Sequence, residues 1–344
     1  MTSPAATPAL AEPSTSASSG SARQRGGARY VLGKVGGAVV SLFVIVVLSF
    51  FLIRVVPGDP IRLLTRNSSL GPAQVAQLRH ELGLDKSLPA QFVDYLVGLL
   101  HGNLGTSANF QQPVAQLILQ RLGPTVLLVG AATVISVLLG LWQGTRAGWR
   151  RGSRFDRFST GFALTLWSAP TFWLGMILLT VAGTWFPTQG ISDPDTPPSF
   201  FPQVLDVAHH LVLPCLTLVA VLYAQYLLVM RSSLLEEMNA DYLTTARAKG
   251  LRDDLVRGRH AVPNALLPTV TLIFIQLGFV VGGAVTVETV YSWPGLGLLL
   301  YQALADHDGA LLQGLLLVLA GAVLVMNLIG DLLLHVIDPR VRAA

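Results

Sequence analysis

The chain has 344 residues, 52% of them hydrophobic and 12% charged. That is half the charge of an ordinary soluble chain and too little to cover the surface of a soluble protein this long, so an integral membrane protein is expected. The net charge of +4 then reports orientation rather than nucleic-acid binding, and the single cysteine, Cys215, excludes a disulfide frame, a zinc cluster or a CxxC redox pair.

Residues 1–30 are mostly Ser, Ala, Pro, Thr and Gly. They bury too little apolar surface to offset the entropy of ordering, which predicts a disordered tail. The apolar run that follows is too long for a signal-peptide core, ends at Arg54, and has no small-x-small cleavage site, so it reads as an uncleaved first span. Six runs reach the length of about 20 apolar residues needed to cross about 30 Å of hydrocarbon: 36–56, 124–145, 161–186, 210–230, 265–287 and 311–334. The fold class expected is all-α with six transmembrane helices.

Loop charges orient the spans. The tail carries Arg23, Arg25, Arg29 and Lys34; the loop after the second run carries Arg146, Arg150, Arg151, Arg154 and Arg157; Arg231 to Arg259 lie between the fourth and fifth; Arg340 and Arg342 follow the sixth. Loops 187–209 and 288–310 have no Lys or Arg. The positive-inside rule places both termini in the cytoplasm.

Residues 57–123 then form an extracytoplasmic insert. Pro72 suits a first helical position, Val75, Leu78 and Leu82 make one stripe, and Gly83 suits the stop. A second helix is expected from Pro89, with Phe92, Leu96 and Leu99 on one face and Gly102 past its end. Two readings stand: an amphipathic cap on the outer leaflet, or a docking surface built on Pro72, Leu78, Leu82, Phe92 and Leu96.

The cytoplasmic loop 231–264 is the most strongly punctuated segment. Asn239 is expected to cap a short helix with Asp241 in its positive first turn and Arg247 and Lys249 in its negative last turn, ended by a left-handed Gly250. Tyr242, Ala246 and Gly250 recur every four residues, a strip on which a partner's surface could approach the backbone. A second start falls at Asp253, and Pro263 punctuates the approach to the fifth span. A solvated helix with no partner is the alternative. Further on, "SWPGLG" at 292–297 reads as an aromatic interfacial anchor or as an outer gate. Within the spans, Gln143, Gln225, Gln276 and Asn327 are candidates for interhelical hydrogen bonds or for lining a passage; Gln276, Gln225 and Asn327 are the pathway candidates carried forward.

The run "DYLTTARAKGLRDDLVRGRHAVPNALLP" resembles the EAA loop of permease subunits in binding-protein-dependent ABC importers. Gly250 and Pro263 keep that pattern's thirteen-residue spacing and Ala246 matches its second alanine. Thr244 and Thr245 stand where the pattern has its glutamate and first alanine, a departure familiar in the peptide-importer branch. "RVVPGDP" at 54–60, "LGLDKSLPAQFVDYLVGLLHGNLGTS" at 82–107, "SAPTFWLG" at 168–175, "ETVYSWPGLGLLLYQAL" at 288–304 and "DPRVR" at 338–342 are similar to dipeptide/oligopeptide permeases.

The resemblance implies a type I ABC importer permease fold in the cell membrane. It implies a second permease subunit, two cytoplasmic ATPase domains and an extracytoplasmic substrate-binding protein as partners. Asp241, Tyr242, Thr245, Ala246, Arg247, Lys249, Gly250 and Pro263 would form the ATPase-coupling element, with Tyr242, Ala246, Arg247 and Gly250 making the main contact. The chain has no GxxxxGK[ST] phosphate loop, so ATP and Mg are expected on the partner subunits, with no cofactor or metal on this chain and no catalytic residues. Peptides are the implied cargo; nickel chelates and glutathione are the alternatives. An ion-coupled secondary transporter is the main rival, and it lacks ionisable groups near mid-membrane, since Glu288, Asp331, His209, His210 and His335 all sit near span ends.

Overall fold

The computed structural model describes residues 19–55, 72–81 and 85–337. In chain order its helices are α1 (Ser19–Val55), α2 (Pro72–Glu81), α3 (Leu88–Leu100), α4 (Val114–Trp149), α5 (Arg154–Ser168), α6 (Thr171–Ala182), α7 (Phe200–Glu237), α8 (Asp241–Ala248), α9 (Asp253–Val256), α10 (Val262–Val290), α11 (Leu296–Ala305) and α12 (Gly309–Ile337), with a π turn over Arg257–Ala261. Among the described residues four helices are long and apolar enough to cross a membrane: α1 over Val31–Phe51, α4, α7, and α12 over Gly309–Leu332. A bent pair, α5 and α6, makes a fifth if it is taken as one span. The 29-residue α10 covers the fifth expected run.

Two expectations are corrected. The tail of residues 1–30 is not wholly irregular, because α1 already begins at Ser19; residues 1–18 lie outside the described residues. Extending an existing helix costs far less than nucleating one, and residues 19–30 contain no proline to stop it. The run 161–186 is not one helix either. α5 and α6 meet at an angle of 103°. Pro170 disfavours the α conformation in the residue before it, and Ala169 is extended at φ −79°, ψ 137°.

The centre of the molecule is the pair α4 and α7, of 36 and 38 residues. At 1.5 Å per residue each is about 55 Å long, well beyond the hydrocarbon thickness of about 30 Å. They meet along a stripe of buried small residues on α4, Ala132, Ser136, Gly140, Gly144 and Gly148. A Cβ on Gly140 would lie 2.9 Å from the Leu227 nitrogen, one on Gly144 2.7 Å from the Leu227 oxygen, and one on Gly148 3.1 Å from the Arg231 oxygen. The backbones therefore touch where lipid supplies no hydrophobic drive, and close packing of small residues takes its place.

The other elements pack around this spine. α5 and α6 lie on α7, α10 runs beside α7 and α12, and α1 packs on α12. Lys34 and Asp331 join α1 to α12 at 2.7 Å. The main core cluster gathers Leu128 and Ala132 of α4, Leu213, Leu218 and Leu227 of α7, and Tyr291 and Trp293 beyond α10. Near the C-terminal end of α7 Arg231 grips Asp156 with two hydrogen bonds, Nε at 2.6 Å and a terminal nitrogen at 3.0 Å. Asp156 also accepts the Gly152 N–H at 2.9 Å, while Ser153 caps α5 by accepting the Asp156 N–H at 3.1 Å. Bidentate arginine–carboxylate geometry fixes orientation as well as distance, so the α4–α5 turn is bolted to the end of α7.

Gly144→Leu should force the two backbones apart at a cost of about 1–3 kcal/mol, the usual range for overpacking. Thermal unfolding in mild detergent should show a fall of several degrees, whereas Gly130→Ala, with open space around it and a better helix former in place, should not lower the midpoint. Equal midpoints for both variants would contradict the close seam.

Candidate coupling site

α8 is built much as its punctuation foretold, with a different start. Its first residue is Asp241 and its cap position is Ala240, with no side-chain cap bond. Asn239, the expected cap, instead donates its amide to the Leu235 carbonyl at 3.3 Å and finishes α7. The helix is thus eight residues, about 12 Å. Its end is a complete left-handed stop. Gly250 has φ +84°, its N–H meets the Arg247 carbonyl at 2.9 Å, and the Leu251 N–H meets the Ala246 carbonyl at 3.3 Å. That is the paired bonding of a Schellman motif, and Leu251 packs with Ala246 as the motif requires.

One face of α8 is buried in its own chain. Leu243 and Ala246 join Met230 and Leu234 of α7, Val256 of α9, Ala261 of the π turn and Ala265 of α10 in one cluster. Ala246 is only 8% exposed, which corrects the expectation that it belongs to an accessible strip with Tyr242 and Gly250. The four-residue spacing was real, but a small residue at that spacing serves close packing against α7 equally well. The accessible face is Asp241, Thr244, Thr245 and Ala248, continuing into Lys249 and Gly250.

Tyr242, 38% exposed, acts as a pin between three elements. Its hydroxyl donates to the Glu237 carboxylate at the end of α7 and accepts the Asn264 amide at 2.9 Å from the start of α10. Partial burial, and then the Glu237 carboxylate, raise the Tyr242 hydroxyl above the ordinary tyrosine range, so it remains a donor throughout the physiological range. Arg247 is braced as well. Its Nε reaches Asp253 at 3.4 Å, its guanidinium lies 5.9 Å from the Trp149 ring centre, and the Trp149 indole donates to Asp253 at 3.1 Å. Arg247 thereby ties α8 to α4 and α9 rather than standing free.

Pro263 is in the first turn of α10, where a missing N–H costs least. The turn before it widens to π geometry, with the Val262 N–H reaching the Arg257 carbonyl. Widening gives room for a proline ring that would otherwise strike the carbonyl one turn earlier.

The other predicted residues are scattered. Gln225 of α7 and Gln276 of α10 meet, the Gln276 amide donating to the Gln225 carbonyl, so these two pathway candidates make an interhelical hydrogen bond. Asn327 is half-buried on α12, and no described contact joins it to the pair. In the insert, Pro72 and Leu78 fall on α2 and Phe92 and Leu96 on α3, while Leu82 lies outside the described residues. Phe92 turns inward onto Phe50 of α1 at 5.2 Å between ring centres, leaving Val93, Val97 and Leu100 as the exposed stripe of α3.

The opposite end of the α4–α7 spine holds residues whose role the sequence did not disclose. Glu288 is fully buried and accepts from the Thr125 hydroxyl at 2.8 Å and from the Gly297 and Leu298 N–H groups at 2.7 and 3.0 Å. It caps α11, whose exposed donors and dipole favour a carboxylate there. Trp293 is 0% exposed, its indole donating to the Pro124 carbonyl at 2.9 Å. It is a core residue, not an interfacial anchor. Asp308, also buried, accepts from Ser107 at 2.6 Å and from the Asn109 N–H at 3.1 Å, and it caps α12 through Leu311. The insert is thus tied to the far end of the chain.

Comparison with known proteins bears on this arrangement as a whole. Residues 136–343 match the family described as "Binding-protein-dependent transport system inner membrane component", and residues 28–129 match its N-terminal counterpart. The dipeptide transport system permease protein DppB of Escherichia coli K12 is 34% identical over 334 residues, covering 91% of this chain and 98% of that protein. The glutathione transport system permease protein GsiC of Pectobacterium atrosepticum is 36% identical over 317 residues, with 91% and 98% covered. The di/tripeptide permease DppB of Pseudomonas aeruginosa is 34% identical over 330 residues, with the same coverage.

Removing the Tyr242 hydroxyl should loosen α8 without unfolding the spine. A hydrogen bond at a solvent-screened site contributes about 0.5–1.5 kcal/mol, so Tyr242→Phe should speed amide exchange across 241–250 by about two- to tenfold. Exchange in α4 and α7 should stay as it was; unchanged exchange in α8 would show that the pin carries no load.

Proposed function

Because the chain belongs to the family of binding-protein-dependent transport system inner-membrane components, we propose that it is the membrane-spanning subunit of an ATP-driven importer whose cargo is a di- or oligopeptide. The observation that carries this reading is the match to peptide permeases along nearly the whole chain. Six spans with both termini cytoplasmic complete the topology, on the strength of the loop charges. A second permease subunit completes the pathway, two ATPase domains bind ATP and Mg, and an extracytoplasmic binding protein selects the cargo. The subunit itself catalyses nothing.

The accessible face of α8, with Asp241, Thr245, Lys249 and Gly250, seats in the ATPase. Tyr242, Ala246, Arg247 and Pro263 hold that face to α7, α4 and α10. This division of labour has a physical basis: a helix of two turns is not stable alone in water, and it transmits displacement only if its inner face is packed and its ends are fixed. The insert, through α2 and α3, meets the binding protein. Peptides vary in side chain, so the route between the permeases is wide and weakly binding, with Gln225, Gln276 and Asn327 as its polar candidates. The 36% identity to a glutathione permease makes that tripeptide the competing cargo.

The test is uptake of labelled dipeptide, and separately of glutathione, into proteoliposomes holding this chain with its partner subunits and binding protein. Dipeptide uptake should require ATP inside and binding protein outside. Thr245→Trp should abolish uptake and stimulated ATP hydrolysis, while Gly250→Asn, which tolerates a left-handed backbone, should keep both. Uptake driven by an ion gradient without ATP would overturn the importer reading. Full coupling in Thr245→Trp would overturn the assignment of α8.

A further inference from the structure

A cleft of about 580 Å³ opens at the cytoplasmic end of α4, between that helix and the start of α10. Its lining combines two chemistries: the apolar Leu141, Trp142, Val262 and Leu266, and the three arginines Arg146, Arg150 and Arg257. No acid lines it, and among the described residues none of these three arginines is in an ion pair with a carboxylate, in contrast to Arg231, Arg247 and Arg252. Arg146 is steadied by the Phe155 ring, 5.0 Å from its centre.

We propose that this cleft holds an anionic phospholipid of the cytoplasmic leaflet, its phosphate between Arg146, Arg150 and Arg257 and its acyl chains along α4. The charge calls for an anion, and the apolar half calls for one that carries hydrocarbon. Below the cleft the surface of α4 continues as an exposed apolar face, Val134, Ile135, Leu138 and Trp142, the last 56% exposed. Basic pockets between spans on the cytoplasmic side fit phospholipid headgroups for this reason, and arginine forks match phosphate oxygens. The position matters because Arg257 belongs to the π turn that joins α9 to α10. A phosphate bridging it to Arg146 and Arg150 ties the loop holding α8 to the end of α4, adding to the Trp149–Asp253 bond.

The proposal is tested on the full-length chain by native mass spectrometry in mild detergent, with cardiolipin and phosphatidylethanolamine as probes. Each arginine near an anionic headgroup is worth about fivefold in affinity. Cardiolipin should therefore stay bound where phosphatidylethanolamine is lost, and the triple variant Arg146→Gln/Arg150→Gln/Arg257→Gln should weaken it by about a hundredfold. Leu266→Trp, which fills the apolar side and leaves all three charges, should also reduce binding; it separates a lost site from a misfolded triple variant. Equal retention of the two lipids, or undiminished binding in both variants, overturns the proposal. Displacement by millimolar inorganic phosphate would make the site one for free anions, and displacement by dipeptide would make it part of the transport route; either result overturns it. The measurement needs neither partner subunits nor cargo, so its outcome is independent of the importer reading.

Discussion

The absence of side chains at Gly140, Gly144 and Gly148 sets the geometry on which the rest of the molecule depends. With backbone touching backbone over two turns of helix, α4 and α7 form one stiff body that extends well past the bilayer at its ends. Everything with a functional reading hangs from that body. α8 follows α7 after three residues, the Asp156–Arg231 clasp prevents the end of α7 from turning, and α10 reaches the same corner through Asn264 and the π turn. A membrane protein has no hydrophobic drive to hold helices together, so this seam does what a large core does in a soluble domain.

The corner around α8 has a layered construction. The inner layer is apolar and comes wholly from this chain: Met230, Leu234, Leu243, Ala246 and Ala265. The middle layer is a set of directional polar bonds at its rim, Tyr242 to Glu237 and Asn264, and Trp149 and Arg247 to Asp253. The outer layer is the exposed face, Asp241, Thr244, Thr245, Ala248, Lys249 and Gly250. Surface bonds of the middle kind contribute little one by one. Several that converge on one short helix restrict its tilt, and tilt is the quantity that matters for passing on a displacement.

Much of this was legible in the sequence. Prolines and glycines mark real boundaries: Pro72 starts α2, Pro89 lies in the first turn of α3, and Gly250 takes the left-handed conformation that ends α8. Five of the six apolar runs coincide with single helices, since about 20 consecutive apolar residues leave few other solutions. Part of what failed to show was a matter of facing. Ala246 and Trp293 have the spacing and type of surface contacts, yet both are core, because helical period gives a face without saying what covers it. Asn239 could cap forward or backward, and the carbonyl of α7 won. The bend at Pro170 could not be told from the tolerated prolines of α4, α7 and α10 by sequence, because the difference lies in whether neighbours re-satisfy the freed carbonyls. The GxxxGxxxG stripe at 140–148 is legible in the sequence as a close-packing surface, whereas Glu288, Thr125 and the α11 cap join positions 163 apart, which no local pattern reveals.

The central claim is mechanical: α8 moves with the α4–α7 spine as one body. It is tested most directly by spin-label distances between Thr244→Cys on α8 and Leu216→Cys midway along α7, both exposed, with the buried Cys215 replaced by serine. In the assembled transporter, a single narrow distance that does not change between nucleotide-free and nucleotide-bound states is the predicted result. A broad distribution, or one that shifts with nucleotide, would mean that α8 swings on a loose tether and that the seam does not carry its motion.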